Sequence, residues 1–252
     1  MFSRFAFVLT HVCTVLLVAI TLLNFSATTE VHAIFFDGFE YTDSPLNHGW
    51  TAGFGSPGPD PSVISTSTEQ QFSGSRSLKI GRSNVGLTYS FADFEFGTNL
   101  DVSVRFYDDL HTGFNHEKWA RVFFDDGKNA IIQAYNNSTN FTTTYLADYY
   151  HPNGNISSSN NNTGVSRTLG WHEFRFVVED NLLDLYVDGT KALDNVLSVS
   201  TLASIHLLVG ETGPGYFDDV LVVVPEPSTL LLFGIAVLGG LGYGWLRRKK
   251  VA

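Results

Sequence analysis

Gly170-Trp171-His172-Glu173-Phe174-Arg175-Phe176-Val177-Val178-Glu179, then Asp180-Asn181, then Leu182-Leu183-Asp184-Leu185-Tyr186-Val187-Asp188-Gly189, is the stretch that decides the fold. Two runs rich in β-branched and aromatic residues, His172–Glu179 and Leu182–Val187, stand on either side of a polar link. Glu179-Asp180-Asn181 makes that link a hairpin, and Asp188-Gly189 is a strong turn signal closing the second run. Upstream, Asp101–Tyr107 alternates: Val102, Val104 and Phe106 point one way, and Asp101, Ser103 and Arg105 point the other. That alternation describes a strand with one wet face. Similar short runs are Ser77–Ile80, Leu87–Phe91, Ala120–Phe124, Ala130–Tyr135, Phe141–Leu146, Ile205–Gly210 and Tyr216–Val223. No internal repeat and no long helical periodicity interrupts them. So many short strands at this spacing predict an all-β fold, a two-sheet antiparallel sandwich or jelly roll.

Gly170–Phe176 followed by Leu185-Tyr186-Val187-Asp188-Gly189 resembles the concanavalin A-like/laminin-G-like sandwich pattern. Phe35-Phe36-Asp37-Gly38-Phe39-Glu40, with Trp50 a little later, resembles the opening strand of related carbohydrate-binding jelly rolls. Phe72-Ser73-Gly74-Ser75-Arg76-Ser77-Leu78 is similar to their second strand, and Tyr216-Phe217-Asp218-Asp219-Val220 to their final one. The resemblance implies one domain over 34–224 with a carbohydrate-related binding surface.

That middle segment, about 191 residues long, suffices for one domain with a sizeable core. It holds 10 Lys/Arg against 23 Asp/Glu, a balance of −13, while the whole chain carries −10. So acidic a domain repels phosphate backbones and excludes nucleic acid as a partner. The single cysteine, Cys13, lies in the N-terminal apolar segment and reads as an ordinary apolar residue. No disulfide is therefore available to the domain. Its core must hold it, with a structural metal as the remaining device.

The two ends read as export signals. Residues 1–33 begin with Arg4, continue through an apolar run from Phe5 to Phe25, and finish on Val31-His32-Ala33. This is the layout of a signal peptide with its signal-peptidase site, Ser26-Ala27-Thr28 being a rival site. At the other end, Leu230–Leu246 is apolar, contains five glycines and no charge, and precedes Arg247-Arg248-Lys249-Lys250. As a helix it would span about 25 Å, slightly short of a ~30 Å hydrocarbon core. The four basic residues place this end in the cytoplasm and the middle domain outside. Before the helix stands Val224-Pro225-Glu226-Pro227-Ser228. Two prolines in three residues keep it extended and unable to donate to a sheet. The order Pro-Glu-Pro, apolar helix, basic tail over 225–250 resembles the PEP-CTERM sorting segment. The resemblance implies a Gram-negative bacterium making extracellular polysaccharide, with an exosortase-type enzyme processing the tail.

Among residues that could carry chemistry, Asp37, Glu40, Asp218 and Asp219 lie at opposite ends of the domain's sequence. If the terminal strands pair, these hard oxygen donors gather where a structural Ca²⁺ would suit them. Tyr145, Tyr149 and Tyr150 crowd the segment before Pro152 and offer rings for stacking on sugars. Residues 153–164, nearly all Asn, Ser and Gly, read as a flexible loop, and Asn137-Ser138-Thr139 is a sequon in a polar loop. Laminarinase-like relatives of the fold use a Glu-x-Asp-x-x-Glu strand, and no such spacing occurs here. His111 and His116, beside Glu117, read as a polar loop rather than a zinc site. The leading expectation is a non-catalytic envelope protein that binds or organises surface polysaccharide in a biofilm matrix. A structural or adhesive protein that meets other proteins, and a divergent glycoside hydrolase or lyase, are the alternatives.

Overall fold

The computed structural model describes residues 31–53, 61–81, 85–110, 116–124, 127–136, 143–152, 156–210 and 213–225. The compact unit formed by the domain runs Ala33–Val224. The signal-peptide segment before Val31, the apolar stretch Leu230–Leu246, the basic tail and the sequon at Asn137 lie outside the described residues. Among the described residues no helix is long and apolar enough to cross a membrane.

Fifteen strands form two sheets among the described residues. One sheet has eight strands. In spatial order they are β13 (Thr190–Ser198), β12 (Leu182–Val187), β11 (Gly170–Glu179), β6 (Leu100–Asp108), β15 (Gly215–Pro225), β4 (Ser77–Ile80) and β3 (Ile64–Ser67), with β1 (Val31–Asp37) also paired to β15. The seven-stranded sheet runs β10 (Ile156–Ser166), β9 (Thr144–Tyr150), β8 (Asn129–Asn136), β7 (His116–Phe124), β14 (Thr201–Val209), β5 (Val85–Glu95) and β2 (Trp50–Gly53). The central pairings are antiparallel and interleave strands distant in sequence, as a two-sheet jelly roll requires.

Period-two patterning sets which side chains meet. Along β6, Leu100, Val102, Val104, Phe106 and Asp108 are buried, and the residues between them are partly exposed. On β11, His172, Phe174, Phe176 and Val178 face inward, and Phe106 stacks on Phe174 with ring centroids 4.3 Å apart. From the opposite sheet come Ala120, Val122, Phe124, Ile132, Tyr145, Leu207 and Val209, giving one contiguous core. Each fully buried aliphatic or Phe side chain contributes about 1.5–3 kcal/mol to folding. Asp180 (φ +50°) and Asn181 (φ +65°) form the two-residue turn between β11 and β12, and Asp188 (φ +49°) and Gly189 (φ +73°) the next. Both are left-handed pairs that match the twist of the hairpins.

One sequence expectation needs correction. Residues 156–166 are not a loop but β10, the edge strand beside β9. Its register slips at several points, and side chains support the pairing: Asn161 Nδ2 donates to the Ala147 carbonyl and Thr163 Oγ1 to that of Tyr145. Strand propensity yields here to the neighbour that needs pairing. Val31-His32-Ala33, the expected signal-peptidase site, lies on β1.

Candidate functional site

β7 decides the surface of the seven-stranded sheet. Lys118, Ala120, Val122 and Phe124 turn inward, which leaves Trp119, Arg121 and Phe123 outward. Adjacent strands add Leu208 and His206 from β14, Ile131 and Gln133 from β8, and Asp148 and Tyr150 from β9. Trp119 is 9% exposed, Ile131 7% and Leu208 7%, and with Tyr150 they form an apolar cluster separate from the main core. Side chains on the outer side of a sheet are covered to this degree only when neighbours recess them.

Polar groups border this floor. The Arg121 guanidinium lies 4.4 Å from the Phe123 ring centroid and 5.0 Å from that of Tyr150, and its Nε donates to Asn129 Oδ1 at 2.8 Å. His206 packs on Phe123 at 4.3 Å, and its Nε2 is 2.9 Å from Ser204 Oγ. Burial, reinforced by the Arg121 charge, pushes His206 down to about 4, so at neutral pH it is an uncharged imidazole. Gln133 Nε2 donates to Asp148 Oδ2 at 3.1 Å. Apolar and aromatic rings with a few fixed polar groups make a surface suited to a polyhydroxylated ligand.

The three tyrosines do not act together. Alternation along β9 sends Tyr145 and Tyr149 inward and Tyr150 outward. Tyr145 is fully buried, packs against Phe106, His172 and Phe174, and donates its hydroxyl to Asp108 Oδ2 at 3.2 Å. It is a core residue rather than a platform. Tyr149 is half-buried against the main core, and Tyr150 alone lines the recessed floor.

The terminal carboxylates do come to neighbouring elements, because β1 pairs with β15. Asp218, Asp219 and Glu40 hold the loop between β3 and β4, and Asp37 holds its own neighbours. Asp218 Oδ2 accepts the backbone N–H groups of Phe72 (2.9 Å) and Ser73 (3.2 Å), and Oδ1 that of Asp219. Asp219 accepts the Ser73 hydroxyl at 2.6 Å. Glu40 takes the Ser75 and Arg76 amides and the Ser75 hydroxyl. Asp37 accepts Trp50 Nε1 at 2.7 Å, the Tyr41 hydroxyl and the Phe39 amide. Among the described residues no three His, Cys, Asp or Glu side chains gather as metal ligands. Burial pushes Asp218 up to about 6 in spite of its three amide donors.

A third polar group, not anticipated from the sequence, closes one end of the core. Asp108 is fully buried and takes Arg167 Nε and Nη2 at 2.8 and 2.9 Å, while Lys118, 1% exposed, reaches Asp109 at 2.7 Å. Burial opposes ionisation of Asp108, yet Arg167 holds its carboxyl below the ordinary range. The partners of the Asp108–Arg167 pair are 59 residues apart, so no local spacing announces it.

No curated protein matches the chain. Residues 223–249 match the PEP-CTERM protein-sorting motif. The PEP-CTERM motif implies a secreted, envelope-directed protein processed by exosortase-type machinery. The motif begins on the last residues of β15. The fold is similar to that of a carbohydrate esterase from a Shiga toxin-encoding bacteriophage, at 16% identity and TM-score 0.57, covering 78% of this chain and 100% of that one. It also resembles a β-1,3-glucanase from Mycobacterium marinum (14%, TM-score 0.53, 76% and 98% covered). A family 16 glycoside hydrolase endo-glucanase from Bacteroides ovatus is similar too (13%, TM-score 0.53, 75% and 99%). At these identities the likeness shows the fold, a concanavalin A-like jelly roll.

Proposed function

We propose that the exported domain binds neutral extracellular polysaccharide, of β-glucan type, on the outer face of its seven-stranded sheet without cleaving it. The observation that carries this reading is the recessed Trp119–Ile131–Leu208–Tyr150 floor, bordered by Arg121, His206 and the Gln133–Asp148 pair. Support for the ligand class comes from the carbohydrate-active proteins that share the fold and from the export signal. The acidic balance of the domain disfavours anionic polymers.

Binding is preferred to catalysis because of where the carboxylates stand. On β7 to β9 the outward acids are Glu117, opposite Tyr135, and Asp148, opposite Ile131. Four residues along β8 and two strand spacings separate their backbones by roughly 16 Å. Paired glycosidase carboxyls work at about 5–10 Å.

Affinity electrophoresis of the purified protein through gels containing a neutral β-glucan tests the reading. Mobility should fall in the glucan gel, and Trp119→Ala and Arg121→Ala should each weaken retardation roughly thirty-fold, as hot-spot losses do. Reducing ends should not accumulate. Unchanged mobility in β-1,3- and β-1,4-linked glucans alike would sink the proposal, as would sustained release of reducing ends.

A further inference from the structure

The outer face of the eight-stranded sheet carries a second aromatic surface. β6, β11 and β15 bring Tyr107, Trp171 and Tyr216 to one level, since Tyr107 is registered with both of the others. Trp171 lies edge-on to Tyr107 at 5.6 Å, and Tyr107 to Tyr216 at 6.3 Å. The row crosses three strands, roughly 10 Å. Phe72 leans onto it from the loop between β3 and β4, 6.0 Å from Trp171, with the Arg105 guanidinium 4.5 Å from its ring centroid. Phe72 is 45% exposed.

An exposed phenylalanine gains little by burial at this position, yet the protein fixes it. Asp218 and Asp219, at the foot of the row, and Glu40 hold the backbone and hydroxyls of Phe72, Ser73, Ser75 and Arg76. Gly74 has φ +59°, and a Cβ there would stand 2.1 Å from Glu40 Oε1, so the loop is shaped around that carboxylate. Carboxylates from β15 and from the segment after β1 thus preorganise one aromatic side chain at the surface.

The chemistry around the row selects its ligand. Of the charged groups beside it, Arg105 pairs with Glu173 at 3.0 Å, Lys79 with Glu69 and Arg175 with Asp101, while Asp218 and Asp219 are turned onto the amides and hydroxyl of the Phe72 loop. The Tyr216 hydroxyl also donates to Glu69. The surface therefore offers rings and fixed donors and acceptors but little net charge to complement. Among the described residues, the large apolar side chains well exposed near this end of β6 and β11 are Phe72, Leu110 and Leu169. Three such side chains do not make the apolar centre of a protein interface of ~1,200–2,000 Å². A neutral polyhydroxylated chain, with apolar C–H faces for the rings and hydroxyls for the paired ions, fits the surface better.

We infer that Phe72, Trp171, Tyr107 and Tyr216 form a second glycan-binding face, so that one domain engages polysaccharide on both sheets and bridges two chains. The bridging, though not the binding at Phe72, rests on the function proposed above for the other sheet. The test uses purified wild type, Phe72→Ala, Phe72→Tyr and Trp119→Ala, all with a long neutral β-glucan. Electrophoretic retardation reads binding, and turbidity of the glucan reads bridging. Wild type and Phe72→Tyr should bind and raise turbidity. Phe72→Ala and Trp119→Ala should each remain retarded to a reduced degree while the turbidity is lost. If Phe72→Ala matches wild type in both readouts, the second face is refuted and the first is untouched. If Trp119→Ala matches wild type in retardation while Phe72→Ala abolishes it, the Phe72 face binds alone and the first reading fails. Sedimentation of wild type as a dimer that Phe72→Ala dissociates, with no glucan retardation, would make the surface a self-association site and overturn the inference.

Discussion

His172 has an acceptor at each ring nitrogen: Asp188 Oδ2 is 2.7 Å from Nδ1, and the Thr168 carbonyl is 2.8 Å from Nε2. Both contacts are satisfied together only by the doubly protonated ring. Burial opposes that charge, but the hydrogen bonds to Asp188 and Thr168 prevail, and the pKa is raised. A folded value above the ordinary ~6.5 means the stabilisation is complete below about pH 6.5 and is lost as pH rises through the folded value. The other groups facing the ring are Asp108 and the Tyr145 hydroxyl, which stays protonated because burial and Asp108 raise it. Thermal melts at about pH 6 and pH 9 should therefore show wild type losing stability on going alkaline. His172→Gln should be about 1–3 kcal/mol less stable at pH 6 with a flatter profile. Parallel profiles for the two proteins would refute the assignment. Residue identity alone misleads at this scale. Lys118 faces inward and Trp119 outward, the reverse of what their polarity suggests, because Lys118 finds Asp109 and the Tyr107 carbonyl at the end of the core. Tyr145 is core because strand parity places it with Ala147 and Tyr149, a signal present in the sequence but obscured by the aromatic cluster around it.

The loop from Thr68 to Arg76 depends on Glu40, on the β15 carboxylates Asp218 and Asp219, and on the backbone freedom of Gly74. Any side chain at position 74 must displace the Glu40 carboxylate and adopt a positive φ. Gly74→Ala should cost roughly 2 kcal/mol, with faster amide hydrogen exchange at Phe72, Ser73, Ser75 and Arg76. The same melts repeated with calcium or a chelator should coincide within about 1 °C, because the carboxylate oxygens are met by N–H and O–H donors. A calcium-dependent rise in Tm would restore the cation at Asp37, Glu40, Asp218 and Asp219. Strand periodicity predicted the central elements closely. Leu182–Val187 and Ser77–Ile80 appear with the expected bounds, and Asp101–Tyr107 lengthens by one residue at each end. Elements with weak local signals were harder to read. β13 alternates poorly, β3 has four residues, and β10 is Asn- and Ser-rich, each existing because a neighbouring strand needs a partner.

For the whole molecule, the sorting motif and the domain meet without a spacer. β15 pairs with β6 as far as Val223 opposite Asp101, and the motif begins at residue 223. Processing must therefore cut beyond the paired residues if the sheet is to stay intact. Intact-mass and terminal sequencing of membrane and medium fractions should show the N-terminal segment removed and a new C-terminus within Pro225–Thr229. A mature chain that keeps Leu230–Ala252 would remove the processing step and leave an anchored external domain. The sequence by itself determined the class of fold, the hairpins at Asp180-Asn181 and Asp188-Gly189, and the sorting tail, because period-two burial, turn conformation and membrane partition are local properties of a few neighbouring residues. Only the tertiary structure decided which aromatics are core and which are surface, joined Asp108 to Arg167, and turned Glu40, Asp218 and Asp219 onto the Phe72 loop. Those outcomes depend on strand order across two sheets, which brings together residues that sequence spacing leaves from dozens to more than a hundred positions apart.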